Sequence, residues 1–253
     1  HHALWINPSN PDMMFLGTDG GIYMSTNRGT AWSFLNNLPV GQFYHVSTDE
    51  VYGPGSKHRT NKEWKDLHLP SNPYAASKAA QEDIALSYWR TYGVPVGIVN
   101  SMNIIGETQD SEKYMAMIMK KIYRNEKVVV HFNKGDIGSR YYLHARSLAS
   151  GLMHILEQDF PKYGEADLPL RMHIAGEKRL NNLELAQLVA DAAGKQLNYD
   201  LVDPNTERPG HDMHYALSGD NLAKSGWTHP MAIEESIDRV VKWTYSNPQW
   251  LDI

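Results

Sequence analysis

The sequence predicts an α/β protein with a truncated parallel sheet of the doubly wound type, a small α/β domain after it and a β-hairpin segment before it. The apolar run 43–47 is typical of a buried strand, residues 77–92 have the periodicity of a helix, and 94–100 is a second apolar run. A strand, a helix and a strand in this order form one βαβ unit. Residues 1–42 lack this pattern, so we expect the sheet to be incomplete.

The N-terminal segment favours short antiparallel strands. Residues 14–16 are apolar and residues 22–25 alternate in polarity. Asp19 and Gly20 lie between them and are typical of a hairpin turn, whereas a dinucleotide site needs a strand, a glycine-rich turn and a helix. Because one βαβ unit takes about 30 residues, a complete βαβαβ half does not fit before the strand at 43–47. We therefore expect the N-terminal half of the sheet to be missing.

The rest of the chain alternates between helical and strand-like patterns, as an α/β fold requires. Asn181 and Glu184 have the spacing of a capping box, and Gly194 follows as a stop signal. Helices are predicted at 111–125, 145–157, 181–193 and 233–244, and strands at 127–132, 171–175 and 197–202.

Three polar residues, Thr48, Asp49 and Glu50, follow the first strand. A right-handed crossover would place Thr48 at the same edge of the sheet as Asn100, which is where ligands bind in such folds. Two adjacent carboxyl groups can divide into an acid and a base if their environments separate their pKa values. In isolation, the same string also caps ordinary turns.

Tyr74 and Lys78 stand four residues apart at the start of the helical pattern. This spacing puts both side chains on one helix face, where an ammonium group would lower the pKa of the phenol and make it a base. The same spacing also occurs on ordinary solvated helix faces.

Two motifs together resemble a known family. Residues 47–53 (STDEVYG) and 74–78 (YAASK) are similar to the extended short-chain dehydrogenase/reductase superfamily and, within it, to the dTDP-glucose 4,6-dehydratases. The resemblance runs from about residue 43 to the C-terminus. It implies that 43–110 are the C-terminal part of an NAD-binding Rossmann domain. Residues 111–253 would mainly form a sugar-nucleotide-binding domain, with returns to the Rossmann domain.

The resemblance also implies a lyase reaction that uses NAD and removes water from a nucleotide-diphosphate sugar. Tyr74 would take the O4 proton, and Lys78 and Ser47 would bind the cofactor with it. Thr48 would bind the sugar. Glu50 would remove the C5 proton while Asp49 protonates the departing O6 hydroxyl.

Substrate-binding residues follow from the same resemblance, since matching positions occur along the second half of the chain. Arg208 and His211 belong to the string RPGHD, which touches the diphosphate in the family. The family's Asn-Tyr-Gly-Pro and Arg-Asp-Trp strings are altered here, with Ile and Glu in the first and two tyrosines in the second. The further matching positions are Asn103, Lys113 and Arg140.

Two other functions remain open at this point. The Tyr74–Lys78 pair would also serve an NAD-dependent sugar-nucleotide epimerase, although such enzymes generally lack the Asp49–Glu50 pair. If the missing half removes the cofactor turn, the dehydratase is expected to be impaired, or the chain to be a non-catalytic remnant that binds nucleotide sugars.

Residues 1–42 have a resemblance of their own. The string 25–32 (STNRGTAW) is similar to the Asp-box of sialidase- and sortilin-like β-propeller repeats, with Asn27 for the usual aspartate. One repeat does not bury its own core. We therefore expect strands without a propeller function, in a natural fusion or a chimeric gene joined near 42–46.

Composition bounds the remaining possibilities. The chain has 253 residues, 42% of them hydrophobic, a formal charge of −5 and no cysteine. Cysteine-ligated metals and thiolate chemistry are excluded, and the scattered histidines give no metal-ligand spacing. Mixed charge predicts no nucleic-acid partner, and the absence of a long apolar run predicts no membrane span. We expect a cytoplasmic protein, with a homodimer as one possible assembly.

Overall fold

The computed structural model describes residues 3–18, 21–34, 42–55, 58–133, 135–159, 164, 166–203 and 213–252. The chain folds as two compact units, residues 1–41 and 42–253. Within the described part, no helix is long and apolar enough to cross a membrane.

The first unit is an antiparallel sheet of four strands in the order β1-β2-β3-β4. Thr18 pairs with Gly21 across β2 and β3, which confirms the predicted hairpin; its turn residues, 19 and 20, lie outside the described residues. The strands are β1 (Ala3–Ile6), β2 (Met14–Thr18), β3 (Gly21–Ser25) and β4 (Ser33–Phe34).

The second unit alternates strands and helices, as predicted. A 3-10 turn at Asp49–Tyr52 follows its first strand, and another, at Pro248–Leu251, follows its last helix. The elements are β5 (Phe43–Thr48), α1 (Pro73–Tyr92), β6 (Val96–Ser101), β7 (Asn103–Ile105), α2 (Tyr114–Tyr123), β8 (Val128–Asn133), β9 (Asp136–Ile137), β10 (Ser139–His144), α3 (Ala145–Leu156), β11 (Leu170–Ile174), β12 (Arg179–Asn181), α4 (Asn182–Ala192), β13 (Tyr199–Val202), α5 (Asp220–Lys224) and α6 (Ile233–Ser246).

A parallel sheet in the order β11-β6-β5 carries the predicted βαβ unit. Ser47 pairs with Asn100, so the carboxyl ends of β5 and β6 lie side by side as expected. All six residues of β6 are buried. The prediction that β5 is buried is wrong: Phe43 and Val46 are exposed, because among the described strands β5 pairs only with β6.

Helix α1 begins at Pro73 and so includes Tyr74 as well as Lys78. The Asn72 side chain accepts a hydrogen bond from the main-chain N–H of Ala75, and proline at the first helical position costs no intrahelical bond. The helix ends at Gly93, which has a φ of 65°.

The other sheets of this unit are mixed. Strand β10 runs parallel to β7 and antiparallel to β12, and β8 runs parallel to β13 and antiparallel to β9. The largest hydrophobic core lies among α2, α4, α6 and β8. This core fixes the positions of α2 and β10, which contribute residues to the site described below.

Of the predicted starts of α4 and α2, the first is confirmed and the second is not. The capping box of Asn181 and Glu184 is present at α4, so that prediction is confirmed. Helix α2 is shorter than predicted, since Lys113 is its N-cap residue rather than part of its first turn.

Candidate active site

A pocket of about 470 Å³ opens at the carboxyl ends of β5 and β6. It brings together residues that are far apart in sequence, from the first strand, from the start of α1 and from the segment before α2. Its lining includes eight polar residues that were singled out from the sequence: Ser47, Thr48, Asp49, Glu50, Tyr74, Lys78, Asn103 and Lys113.

A second pocket, of about 600 Å³, shares Glu50, Asn103 and Lys113 with the first. Arg140 lines the second pocket only. The shared residues make the two pockets neighbours: Asp49 lines the first, Arg140 lines the second and Glu50 lines both. Arg208 and His211, which the sequence also nominated, lie outside the described residues.

Asp49 is 3% exposed, and burial raises its pKa to about 7. The neighbouring Glu50 carboxyl acts in the same direction, whereas a 3.1 Å hydrogen bond from Thr48 Oγ1 and the charge of Arg140 act against it. Its Oδ2 is buried and has no hydrogen-bond partner among the described residues. Asp49 therefore keeps its proton up to about neutral pH and has the properties of a general acid.

Glu50 is held by the residue that caps the next helix. Asn72 Nδ2 donates a hydrogen bond of 3.0 Å to Glu50 Oε2, while Asn72 Oδ1 caps α1. One asparagine therefore sets the distance between the carboxyl pair and the helix that carries Tyr74. The sequence offered a signal for this residue, since asparagine before proline is a helix-start pattern, but its contact with Glu50 was not predicted.

Gly53 closes the turn that carries the two carboxyl groups. It has a φ of 72°, and a Cβ atom there would lie 1.9 Å from the main-chain oxygen of Leu69. Only glycine meets both conditions. The loop 58–72 can therefore lie directly against the turn.

Lys78 binds the main chain rather than the phenol. Its Nζ donates hydrogen bonds of 2.9 Å to the Val46 main-chain oxygen and 3.2 Å to Gln81 Oε1. The ammonium group thus joins α1 to β5. Tyr74 and Lys78 line the same pocket, but they are not hydrogen-bonded to each other in this structure.

The pKa of Tyr74 is raised above 10 by burial and by the Glu50 and Asp49 carboxyl groups, and a hydrogen bond with Thr48 opposes this shift. The prediction that Lys78 lowers the pKa of Tyr74 is therefore wrong for the chain in this state. The physical reason is that the acidic pair faces the phenol while the ammonium group is directed to β5. In this state Tyr74 is a neutral phenol.

A buried network that sequence reasoning missed holds the end of β5. Asn100 Nδ2 donates to the Thr48 main-chain oxygen at 3.1 Å and to Glu82 Oε1 at 2.7 Å. Arg171 Nη2 donates to Glu82 Oε2 at 2.6 Å, and the guanidinium lies 4.0 Å from the centre of the Trp64 ring. Glu82 is one turn beyond Lys78, so the network joins the polar triplet to the helix of the tyrosine.

Arg140 is 7% exposed and held from several directions. Its Nη1 donates to the main-chain oxygens of Ser139 and Met213, at 2.8 and 2.6 Å, and its guanidinium lies 4.5 Å from the centre of the Tyr215 ring. Planar guanidinium groups fixed in this way suit a phosphate or carboxylate ligand. No group of three His, Cys, Asp or Glu residues suited to a metal ion occurs in the described part of the chain.

The profile of the family described as GDP-mannose 4,6 dehydratase matches residues 31–240. The chain is 35% identical over 213 residues to the dTDP-glucose 4,6-dehydratase of Streptomyces antibioticus, covering 83% of this chain and 59% of that protein. It is 30% identical over 221 residues to the human dTDP-D-glucose 4,6-dehydratase, covering 85% and 59%. The chain thus spans about 60% of the length of these relatives.

Solved structures give the same relationship and confirm the Rossmann-like α/β fold. DesIV, a dTDP-glucose 4,6-dehydratase of Streptomyces venezuelae with NAD and TYD bound, has a TM-score of 0.71 and 29% identity, over 83% of this chain and 62% of that one. The dTDP-glucose 4,6-dehydratase of Bacillus anthracis in complex with NAD has a TM-score of 0.72 and 25% identity, over 83% and 64%. From the extent of the profile match and these similarities we conclude that the chain belongs to the GDP-mannose 4,6 dehydratase family, within the short-chain dehydrogenase/reductase superfamily, and is dTDP-glucose dehydratase-like.

Proposed function

We propose that this chain carries the catalytic and substrate half of an NAD-dependent 4,6-dehydratase of a nucleotide-diphosphate sugar. One observation carries the proposal: Asp49, with a pKa raised to about 7, stands beside Glu50 in a pocket that also contains Tyr74. Loss of water needs an acid for the departing hydroxyl and a base for the neighbouring C–H proton, and this pair supplies both.

The residues present fit the nicotinamide end of NAD. Ser47, Tyr74 and Lys78 line one pocket at the end of β5, with Tyr74 half-exposed toward it. A phenol and an ammonium group can bind the hydroxyl groups of a ribose. NAD, when bound, would accept a hydride from C4 of the sugar and return it to C6.

In the proposed reaction, Tyr74 takes the O4 proton while Thr48 binds the same hydroxyl. Tyr74 is neutral in the chain alone, so this role requires added positive charge near the phenol, which oxidised nicotinamide carries. Glu50 then removes the proton at C5, and Asp49 gives its proton to O6 as water leaves. Because Asp49 must carry a proton, turnover should fall as the pH rises above about 7.

The substrate would lie across the two neighbouring pockets. Asn103 and Lys113 line both, and Arg140 lines the second. We propose that these three residues bind the diphosphate and sugar, and that Arg208 and His211 complete the site, as the family resemblance implies. DesIV, the dTDP-glucose 4,6-dehydratase with NAD and TYD bound, supports a nucleotide of this class.

Calorimetry tests the cofactor part of the proposal. We expect NAD to bind to the full chain, and the variant with both Tyr74→Phe and Lys78→Ala to lose most of that binding. Undiminished binding by the variant would show that these residues do not form the cofactor site. Absence of NAD binding to the unaltered chain, with nucleotide-sugar binding retained, would favour a binding protein without turnover.

An epimerase is the second candidate, because the UDP-glucose 4-epimerase of Thermus thermophilus shares this fold with a TM-score of 0.68 at 24% identity. Epimerisation conserves the mass of the sugar, whereas dehydration lowers it by one water. The buried acid at Asp49 favours dehydration, since moving a hydride at C4 leaves no hydroxyl group to protonate and expel.

For residues 1–42 we propose an Asp-box-like hairpin with a structural role. Ser25 Oγ accepts from the main-chain N–H of Gly29 at 2.8 Å, and Asn27 Oδ1 accepts from that of Ala31 at 2.8 Å. These bonds support the interpretation, since side chains close the turn after β3. Asn27→Ala should lower the unfolding midpoint of this unit, and Asn27→Asp should preserve it; an unchanged midpoint in Asn27→Ala would contradict the proposal.

Three further proposals concern organisation. We propose that the second unit divides near residue 110 into a cofactor-binding part and a mainly substrate-binding part. We also propose a cytoplasmic location.

Exposed Ile84, Tyr88 and Tyr92 on one face of α1 support a homodimer, which light scattering tests directly. A monomer at all concentrations would contradict it.

A further inference from the structure

Three hydrogen-bonded side chains, two of them buried, include the residue that precedes Arg140 in β10. Ser139 Oγ is 2.7 Å from His214 Nδ1, and His214 Nε2 is 2.8 Å from Asp136 Oδ2. Ser139 is 3% exposed and His214 is 7% exposed. Because an ionised carboxylate only accepts hydrogen bonds, Nε2 carries a proton, and in the neutral ring Nδ1 accepts from the Ser139 hydroxyl.

These hydrogen-bonded side chains join β10 to residues 213–215. The same two segments hold the guanidinium of Arg140. Ser139 precedes Arg140 in β10 and its main-chain oxygen accepts from Nη1. On the other side, the Met213 oxygen accepts from the same nitrogen and the Tyr215 ring lies against the guanidinium. His214 stands between Met213 and Tyr215, and its ring crosses to Ser139.

Among the described residues, one isolated parallel bridge, between Ser139 and His214, pairs the main chains of these segments. The Ser139 N–H donates to the Met213 oxygen at 2.9 Å. A single bridge gives far less constraint than a strand ladder. The His214–Ser139 hydrogen bond therefore adds to this bridge, while from another direction the Gly55 N–H donates to the His214 main-chain oxygen at 2.8 Å.

His214 itself lines neither of the two neighbouring pockets, whereas Arg140 lines the second one. We propose that Asp136, His214 and Ser139 act as positioning residues, which fix the Arg140 guanidinium for the diphosphate of the nucleotide sugar. This inference rests on the proposed function, since it requires a diphosphate at Arg140. It predicts an effect on phosphate recognition that a purely structural histidine would not have.

The test compares ligands with and without phosphates. Calorimetry with dTDP and UDP, each set against its nucleoside, measures the affinity that the diphosphate adds. We expect His214→Ala to weaken diphosphate binding by about tenfold, since one charge-assisted contact is misplaced, and to leave nucleoside binding within about twofold. His214→Gln, which can donate and accept at the same time, should restore most of the loss.

Two controls separate positioning from general damage. His154→Ala removes another histidine that is bonded to a serine, Ser225 at 2.9 Å, and should leave the diphosphate-to-nucleoside ratio unchanged. In an Arg140→Met background, His214→Ala should have no further effect on that ratio, because the two residues act together.

The outcomes separate the inference from the proposed function. If the unaltered chain prefers the diphosphate and His214→Gln and His214→Ala keep the same ratio, the positioning role is overturned and the site stands. An equal loss in the Arg140→Met background overturns it as well. If the unaltered chain gains nothing from the diphosphate, the proposed substrate site and the inference both fail.

Discussion

The Lys78 ammonium group donates a 2.9 Å hydrogen bond to the main-chain oxygen of Val46. This contact joins the helix of the tyrosine to the strand that ends in the polar triplet. It also leaves the phenol of Tyr74 facing the carboxyl groups of Asp49 and Glu50 rather than a cation. In this state, therefore, Asp49 can act as an acid and Tyr74 is a neutral phenol.

The titration of Tyr74 tests this arrangement. The difference in absorbance near 295 nm between the chain and its Tyr74→Phe variant should show a phenol with a pKa above 10, because burial and two carboxyl groups oppose ionisation. Lys78→Met should move this pKa little. A Tyr74 pKa near neutrality that rises in Lys78→Met would contradict the observed direction of the ammonium group.

The buried carboxyl of Asp49 should make stability depend on pH. Its pKa is raised from 3.8 to about 7 in the folded chain, so its contribution is present below about pH 4 and is lost as the pH rises through about 7. Asp49→Asn has no such ionisation. From pH 4 to pH 8 the free energy of unfolding should fall more for the native chain than for Asp49→Asn, by up to about 4 kcal/mol. Urea unfolding measures these free energies. An equal change from pH 4 to pH 8 in the native chain and in Asp49→Asn would contradict the raised pKa.

The buried ion pair of Glu82 and Arg171 should be costly to break. Arg171→Met leaves the Glu82 carboxylate buried without its cation, and we expect a loss of about 3 to 5 kcal/mol in the free energy of unfolding at pH 7. Burial raises the pKa of Glu82, but the hydrogen bond with His68 and then the charge of Arg171 lower it to about 2. The stabilisation from these partners is therefore present above about pH 4.5 and is lost as the pH falls through about 2.

Lys121 and Glu126 offer a matched surface pair, 2.6 Å apart and exposed. Lys121→Met should cost far less stability than Arg171→Met, because solvent screens an exposed ion pair. If urea unfolding showed equal losses of stability in Arg171→Met and Lys121→Met, the buried network would not stabilise the fold as described.

Two glycines with positive φ, but with ψ angles of −157° at Gly53 and 21° at Gly93, should respond differently to alanine. Gly53 and Gly93 have φ values of 72° and 65°, but only at Gly53 would a Cβ atom meet a main-chain oxygen, at 1.9 Å. Gly93→Ala should cost about 1 kcal/mol, from strain alone. Gly53→Ala should cost more than about 3 kcal/mol, because the loop must move. Similar unfolding midpoints for both variants would contradict the close contact with Leu69.

The sequence alone predicted the βαβ unit, because the pattern that specifies it is local. Gly93 gave the end of α1 correctly, whereas the predicted start at residue 77 lies four residues after Pro73, although asparagine before proline is a helix-start pattern. The exposure of Phe43 and Val46 was missed, since whether a strand lies at an edge depends on what pairs with its other side.

In the site, too, residues within short motifs were predicted, whereas contacts between distant parts of the sequence were not. The catalytic candidates were named from two short motifs, and they line one pocket. The partner of Lys78 and the contacts of Glu82 with Arg171 were not predicted, because Arg171 is 89 positions away from Glu82 and nothing in either segment specifies the other. The same is true of His214, which reaches Ser139 across 75 positions.

The most direct test of the central claim is the mass of the product formed from dTDP-glucose, with UDP-glucose in parallel, by the full chain with NAD. The account predicts a product lighter by one water, and its loss in Asp49→Asn, in which the buried acid is removed while its shape is kept. A product of unchanged mass, or an unchanged substrate while NAD and the nucleotide sugar both bind, would contradict the assignment of this pocket as a dehydratase site.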